Sequence, residues 1–152
     1  DSILEDCSAI KDKQVLDMGC GTGILAILAA KMGAKSPVHA IDIDYTAVLS
    51  SIENSRRNRV SGKIITKCGD ASLLQAGKYD TILANINRNI LLSDISTYSR
   101  SMRNDGTLYV SGFYTEDIPL LVAEASKHSL KMVSTKEKEN WAVIKFKKIL
   151  EV

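Results

Sequence analysis

The strongest constraint on the fold is the alternation of strand-like and helix-like segments along most of the chain. Short apolar runs, typical of strands, lie at 14–18, 38–43, 63–68, 79–84 and 107–111. Apolar residues at helical spacing lie at 22–32, 45–59, 87–102 and 115–128. Strands that alternate with helices form a parallel sheet that is covered on both faces. The sequence therefore predicts a Rossmann-like α/β fold with helices on both faces.

The end of the chain breaks this alternation. Two β-rich segments, 130–136 and 141–147, are joined by the polar letters EKEN. So short a connection predicts a C-terminal antiparallel hairpin at one edge of the sheet.

Two local expectations concern other segments. The helix at 22–32 is apolar on nearly every side, which predicts that it is buried, and the letters NDG at 104–106 predict a turn before the fifth strand.

Composition narrows the class of protein. The chain has 152 residues, which fits one domain with one sizeable core. We expect no membrane partner, because no apolar run approaches the roughly 18–20 residues that cross a bilayer. A net charge of +2 gives little reason to expect direct nucleic-acid binding. The three cysteines form no CxxC pair, so we expect no metal site and reduced thiols in a cytoplasm.

The letters VLDMGCGTG at 15–23 place three glycines at alternate positions directly after the first strand. Ligands of open α/β sheets bind beyond the carboxyl ends of the strands. Glycines there permit positive φ and close approach of a ligand to the backbone. The N-terminus of the following helix favours an anionic group at the same place. A plain tight turn between strand and helix is the alternative interpretation of this loop.

The spacing of the glycines distinguishes between ligand classes. The dinucleotide pattern GxGxxG is not met, because Ile24 stands where its third glycine would fall, and the GK[ST] of a Walker loop is absent. Asp17, just before the loop, would repel a pyrophosphate. An acidic residue followed by GxGxG suits a ligand with a cationic and an anionic end, such as the methionyl part of S-adenosylmethionine.

Two further carboxylates follow the next two strands. Asp42 ends the second strand in HAIDID, where a carboxylate can accept both ribose hydroxyls, and Asp70 follows the third strand in CGDAS, where it can accept the adenine amino group. Each alone has a plain alternative as a solvated side chain, and Asp44 is expected to cap the next helix. Their occurrence at the ends of consecutive strands favours one nucleoside site.

With these motifs the chain resembles the class I S-adenosylmethionine-dependent methyltransferases, and more closely the catalytic domain of the ribosomal protein L11 methyltransferase family. The resemblance covers about residues 15 to 147, in VLDMGCGTGILAILAAKMGA, AIDID, GDAS, YDTILANINRNILL and GTLYVSGFYTED. The glycine motif is common to the superfamily. The letters LANI after the fourth strand, together with the later SGF, narrow the match to this family.

The resemblance implies a seven-stranded, mostly parallel sheet of order 3-2-1-4-5-7-6 and S-adenosylmethionine as cofactor. It also implies that residues 1–152 are a catalytic domain, expected to be a fragment that lacks an N-terminal substrate-recognition domain. The expected cofactor-binding residues are Asp17, Gly19, Cys20, Gly21, Thr22, Gly23, Asp42, Ile43, Asp70, Ala71 and Asn85.

Asn85, directly after the fourth strand, is the expected catalytic residue. Methyl transfer to an amine needs acceptors that hold the amine in line with the C–S bond of the cofactor. The resemblance assigns this position to the substrate amine, and the backbone carbonyl of Ile86 offers a second acceptor. Asn85 has an alternative role as a helix cap, although Asn87 fits that role better because the apolar stripe begins at Ile90.

The resemblance implies transfer to amino groups of ribosomal protein L11, on lysine side chains, the N-terminus or both. The alternatives are N-methylation of another protein, of a small-molecule amine or of a nucleic-acid base. The last is disfavoured because Ile86, Asn87 and Arg88 follow Asn85 and provide no aromatic platform for a flipped base. A dehydrogenase or a non-catalytic nucleotide-binding module is a further, less favoured class.

Five other side chains have structural or functional interpretations. Cys20 is not expected to be a nucleophile, because no histidine lies near it in sequence. His39 is expected to pack in the second strand. Trp141 is expected to pack in the hairpin, and stacking on a substrate is its alternative role. Phe113 and Tyr114 follow the fifth strand, where they either wall the substrate channel or simply pack.

Overall fold

The computed structural model describes residues 7–150. Seven strands are assigned in this range: β1 Val15–Met18, β2 Val38–Asp42, β3 Ile64–Cys68, β4 Tyr79–Asn85, β5 Met102–Tyr114, β6 Leu130–Lys138 and β7 Trp141–Lys148. The α-helices are α1 Cys7–Ile10, α2 Ile24–Lys31, α3 Tyr45–Arg57, α4 Arg88–Ser101 and α5 Ile118–Ser126. Short 3₁₀ helices occupy Ser61–Lys63, Ala71–Leu73 and Thr115–Asp117. Within 7–150 no helix is long and apolar enough to span a membrane.

The strands form one sheet of order β3-β2-β1-β4-β5-β7-β6. Pairs among the first five strands are parallel, and β7 runs antiparallel to both β5 and β6. The predicted order and the closing hairpin are therefore confirmed. Because β1, β2, β3 and β4 are parallel neighbours, their carboxyl ends share one edge of the sheet, and the loops that follow them meet there.

Two apolar clusters cover the two faces of the sheet. Neighbouring residues of β4 point to opposite sides, so that Ile82 joins one cluster and Leu83 the other. The larger cluster packs α4 and α5 onto the sheet through Tyr98 and Leu121, and the smaller packs α1 and α2 through residues such as Ala26. Burial on both faces fixes the sheet and hence the positions of its loops.

Helix caps confirm two sequence expectations. The Asp44 carboxylate accepts a hydrogen bond of 2.9 Å from the Thr46 N–H and begins α3. The Asn87 side-chain oxygen accepts one of 3.1 Å from the Ile90 N–H and begins α4. These bonds satisfy N–H groups that have no partner inside a helix.

Three local expectations are wrong. No separate turn divides β5 at 104–106; the strand is assigned from Met102, with Asp105 at φ 64° and a register shift in its pairing with β4. α2 is shorter than 22–32 because the glycine loop extends to its start at Ile24. That helix is also not buried all round, since Ile24 is 62% exposed while its alanines pack against the sheet.

Candidate functional site

The loop after β1 has the backbone geometry that only glycines adopt easily. Gly19, Gly21 and Gly23 lie at φ 74°, 55° and 85°, where a side chain would be strained. A Cβ on Gly23 would collide with the Ser51 hydroxyl oxygen, so this glycine lets α2 and α3 approach closely. A Cβ on Gly21 would meet no atom within 4 Å. The outer side of the loop is therefore open backbone that a ligand can reach.

Hydrogen bonds hold this loop against the end of β2. The N–H groups of Gly19 and Cys20 both donate to the Ile41 carbonyl oxygen, at 2.8 and 3.0 Å. The Gly21 N–H donates to the Asp42 carboxylate at 2.9 Å. The glycine loop and the acidic end of β2, two separate motifs in the sequence, thus form one rigid unit.

Asp17 lies beneath the loop and is almost fully buried, at 1% exposure. One carboxylate oxygen accepts a hydrogen bond of 3.1 Å from the Ala26 N–H in α2, and the other has no partner within the described residues. Burial, with a smaller contribution from the charge of Asp42, raises the pKa of Asp17 to about 7, although the Ala26 hydrogen bond acts in the opposite direction. A buried acceptor without a partner is uncommon and fits a ligand that brings a donor or a positive charge.

The end of β2 offers polar and apolar surface side by side. Each Asp42 oxygen accepts one backbone N–H, from Gly21 and from Asp44, both at 2.9 Å. A carboxylate oxygen has capacity for a second hydrogen bond, so both remain available to hydroxyl donors. Ile43, the next residue, is 76% exposed. This combination suits a ribose beside a flat base.

Asp70 joins the same edge through the backbone. The Gly69 N–H donates to the Asp42 carbonyl oxygen at 2.9 Å. One Asp70 oxygen accepts from both the N–H and the hydroxyl of Ser72, which lowers the pKa of Asp70. Asp70 and Ala71 line a cavity of about 540 Å³ beside α4. Asp70 is therefore an ionised acceptor whose second oxygen remains available.

Asn85 ends β4 on the other side of the glycine loop. Its side-chain oxygen lies against Gly112, where a Cβ would come within 2.8 Å of it, and Gly112 has φ 94°. A Cβ on Gly19 would come within 2.8 Å of Ile86 and 3.3 Å of the Asn85 carbonyl oxygen. The missing side chains of Gly19 and Gly112 therefore let the backbone on both sides approach Asn85 and Ile86 closely. Because Asn87 caps α4, the capping alternative for Asn85 is not supported.

Cys20 and His39 have the structural roles that the sequence favoured. Burial, followed by the charges of Asp17 and Asp42, raises the pKa of Cys20 to about 12, so that the thiol is a poor nucleophile. The His39 ring nitrogen shares a hydrogen bond of 2.7 Å with the Tyr79 hydroxyl inside the sheet. Burial, with nearby lysines, lowers the pKa of His39.

A second cavity, of about 630 Å³, adjoins Asn85 at Gly112. The sequence did not indicate which residues would together line this cavity. Tyr114 and Trp141 line it as a stacked pair, with ring centroids 4.6 Å apart, each about half exposed. Phe113 is instead 2% exposed and packs in the core. The sequence signal for this cavity was SGFY, which forms the end of β5. Trp141 reaches the cavity only through the pairing of β5 with β7.

Arg88 forms an ion pair with Asp117 at the same cavity, at 3.0 Å. Asp117 is 8% exposed, and its other oxygen accepts a hydrogen bond of 3.2 Å from the Tyr114 N–H. The pair therefore ties α4 to the end of β5 across the floor of the cavity. Nothing in the sequence spacing of these two residues indicated their contact.

Comparisons with known proteins identify the family of the chain. The family model described as ribosomal protein L11 methyltransferase (PrmA) matches residues 2–149. A ribosomal protein L11 methyltransferase of Bacteroides thetaiotaomicron is 50% identical over 137 residues, which is 90% of this chain and 49% of the relative. The chain spans about half the length of the curated relatives it matches.

Solved structures show the same fold. The ribosomal protein L11 methylase of Lactobacillus delbrueckii subsp. bulgaricus has a TM-score of 0.88 at 27% identity, over 98% of this chain and 77% of that one. An S-adenosylmethionine-dependent O-methyltransferase of Thermotoga maritima reaches 0.86 at 12% identity, over 99% and 64%, and shows the fold alone. Because the family model matches residues 2–149, nearly the whole chain, the chain belongs to the ribosomal protein L11 methyltransferase (PrmA) family.

Proposed function

We propose that the chain transfers a methyl group from S-adenosylmethionine to amino groups of ribosomal protein L11, on lysine side chains, the N-terminus or both. The observation that carries this proposal is the arrangement at the sheet edge. An open glycine loop, a buried carboxylate with an unpartnered oxygen and two further carboxylates lie at the ends of three adjacent strands. Family membership supplies the acceptor protein.

The residues at this edge fit the parts of S-adenosylmethionine. Asp17 and the loop residues Gly19, Cys20, Gly21, Thr22 and Gly23 would hold the methionyl end, with the open backbone of Gly21 toward the ligand. Asp42 would accept hydrogen bonds from the ribose hydroxyls. Ile43 and Ala71 would flank the adenine, and Asp70 would accept a hydrogen bond from the adenine amino group. When bound, the cofactor supplies a methyl group on a positively charged sulfur.

Asn85 would act on the incoming amine. An alkyl ammonium has a pKa of about 10.4 in water, so it must lose a proton before it attacks. Desolvation beside a positive charge favours that loss. The Asn85 side-chain oxygen and the Ile86 carbonyl oxygen, which both lie next to Gly112, would accept the remaining N–H groups. These acceptors orient the nitrogen lone pair, which is the main requirement of a displacement reaction.

The proposal extends to organisation and location. Residues 1–152 would act as one methyltransferase catalytic domain, and recruitment of L11 would rest with a separate N-terminal substrate-recognition domain. The curated relatives are about twice as long as the part of them that this chain matches, which leaves length for a further domain in those proteins. Three free cysteines, of which Cys7 and Cys68 are exposed, support a reducing cytoplasm as the location.

Calorimetric titration tests the cofactor, with NAD as the competing ligand. We expect saturable binding of S-adenosylmethionine and none of NAD. Purified L11 and tritium-labelled cofactor then test the acceptor, with the whole methyltransferase of Bacteroides thetaiotaomicron as positive control. L11 is supplied in excess to compensate for weak recruitment. Binding of NAD, or labelling of other proteins while L11 stays unlabelled, would contradict the proposal.

Asn85→Ala tests the catalytic assignment. Loss of a group that aligns the amine is expected to lower turnover by about 100-fold, while the affinity for S-adenosylmethionine changes little. Asn87→Ala is the matched control, because it removes the same amide from a helix cap two residues away. It should lower the free energy of unfolding by about 1 kcal/mol and affect turnover much less. Equal losses of turnover in both variants would argue against the assignment.

A further inference from the structure

We infer that Trp141 and Tyr114 form the wall of a channel that receives the aliphatic stem and charged end of a substrate lysine next to Asn85. This inference rests on the proposed function and adds a specificity-determining contact to it. The rings are stacked at 28° with centroids 4.6 Å apart, and each side chain is about half exposed. A stacked pair is rigid, and its outer face is free to contact a ligand.

The position of the pair follows from the sheet. Tyr114 ends β5 and Trp141 begins β7, and the two are directly paired in the antiparallel register. Gly112, two residues before Tyr114, touches the Asn85 side chain and lines the same cavity of about 630 Å³. The cavity therefore runs from the aromatic pair to the proposed acceptor of the amine. Its size is in the range of small-ligand sites.

The charges around the cavity favour a cationic occupant. Arg88 is the cation among the residues that line the cavity. The ion pair of Arg88 with Asp117, at 3.0 Å, offsets the charges of both residues. Glu116 then leaves the lining with one net negative charge. A lysine matches this arrangement, because its methylene stem packs on aromatic rings and its ammonium is attracted to an aromatic face and to a carboxylate. A phosphate-bearing nucleic acid would be repelled by Glu116.

Trp141 is the single tryptophan of the chain, so its fluorescence reports on this cavity alone. The probe is a short peptide with one central lysine, added in the presence of S-adenosylhomocysteine. We expect a saturable change of emission. The same peptide with norleucine in place of lysine should bind with an affinity at least about 5-fold lower, because norleucine lacks the charge. A single-stranded oligoribonucleotide should cause no change.

Two variants that keep Trp141 show which residue of the cavity is responsible for binding the lysine peptide. Glu116→Gln should weaken lysine-peptide binding several-fold and reduce its dependence on salt. Val133→Ala is the matched control, since Val133 is 52% exposed on β6 of the same hairpin and does not line the cavity. It should leave the fluorescence titration unchanged. An unchanged titration in Glu116→Gln would overturn the role of charge and with it the inference.

Kinetics with L11 complete the test. Trp141→Ala should raise KM by about 5- to 30-fold, with a smaller change in kcat and an unchanged affinity for S-adenosylhomocysteine. Trp141→Phe keeps a ring in the hairpin and should recover most of the loss, which guards against misfolding of the alanine variant.

The inference is overturned, while the proposed function stands, if cofactor binds and L11 is methylated but neither variant alters KM. A response of Trp141 to the oligoribonucleotide and not to the lysine peptide would also overturn it. Failure of the native chain to bind cofactor would instead refute the proposed function.

Discussion

The buried carboxyl group of Asp17 makes the stability of the free chain depend on pH. Its pKa is raised from 3.8 to about 7, mainly by burial. One pKa unit corresponds to about 1.4 kcal/mol, so ionisation costs up to about 4 kcal/mol more in the folded chain than in the unfolded chain. Between these two values the unfolded chain has released the proton and the folded chain still holds it. Stability is therefore lost as the pH rises through this window.

The perturbation is Asp17→Asn. The amide oxygen can still accept the Ala26 N–H, which the Asp17 carboxylate accepts at 3.1 Å, and the amide does not titrate. Urea denaturation at about pH 5 and about pH 8 gives the free energy of unfolding of both proteins. The linkage relation predicts that native stability, relative to the variant, falls by about 2 to 3 kcal/mol over this interval. Asp105→Asn, at a side chain that is 92% exposed, controls for the loss of one negative charge.

A relative stability that is the same at both pH values would refute the account of Asp17, because a solvated carboxyl group titrates equally in both states. The same variant also tests the role of the unpartnered oxygen. A positively charged ligand stabilises the ionised form of Asp17, so the affinity of the native chain for S-adenosylmethionine should rise through about pH 7. The affinity of the Asp17→Asn variant should be lower and nearly independent of pH in this range.

The remaining predictions concern the glycine loop and the ends of β2 and β3. Asp42→Ala should weaken S-adenosylmethionine binding by about 1 to 3 kcal/mol, because it leaves hydroxyl and backbone donors without an acceptor; unchanged affinity by calorimetry would exclude Asp42 as a ribose contact. Gly23→Ala should lower the thermal unfolding midpoint and cofactor affinity together, since the added Cβ collides with Ser51; full retention of both would show that the loop is not constrained there. In the folded chain at about pH 8, iodoacetamide should label Cys68, which is exposed, and spare Cys20, which is buried with a pKa of about 12; mass spectrometry of the peptides would reveal an unexpected adduct on Cys20.

Much of the site was predictable because it depends on local backbone. Parallel strands place their following loops at one edge, so a motif after a strand has a known location once the strand is recognised. Asp17, Asp42, Asp70 and Asn85 were selected in this way, and the structure puts all four at the same edge. The caps at Asp44 and Asn87 were equally predictable, because a cap acts within three residues of itself.

Other features depend on contacts between residues far apart in sequence. The hydrogen bond from Gly21 to Asp42 and the packing of Gly112 on Asn85 arise only when the strands are side by side. The periodicity of α2 could not reveal that Ile24 would remain 62% exposed, since exposure depends on which face meets the sheet.

The sequence by itself determined the class of fold and the residues that end each central strand, because those properties follow from local periodicity and glycine geometry. The strand order came only from the resemblance to a known family. Tertiary structure alone decided that one oxygen of Asp17 has no partner, and that Trp141 stacks on Tyr114 beside Asn85. Burial and cross-strand register are properties of the assembled sheet. They set the electrostatics of the buried acid and the shape of the cavity, which no segment of the chain specifies on its own.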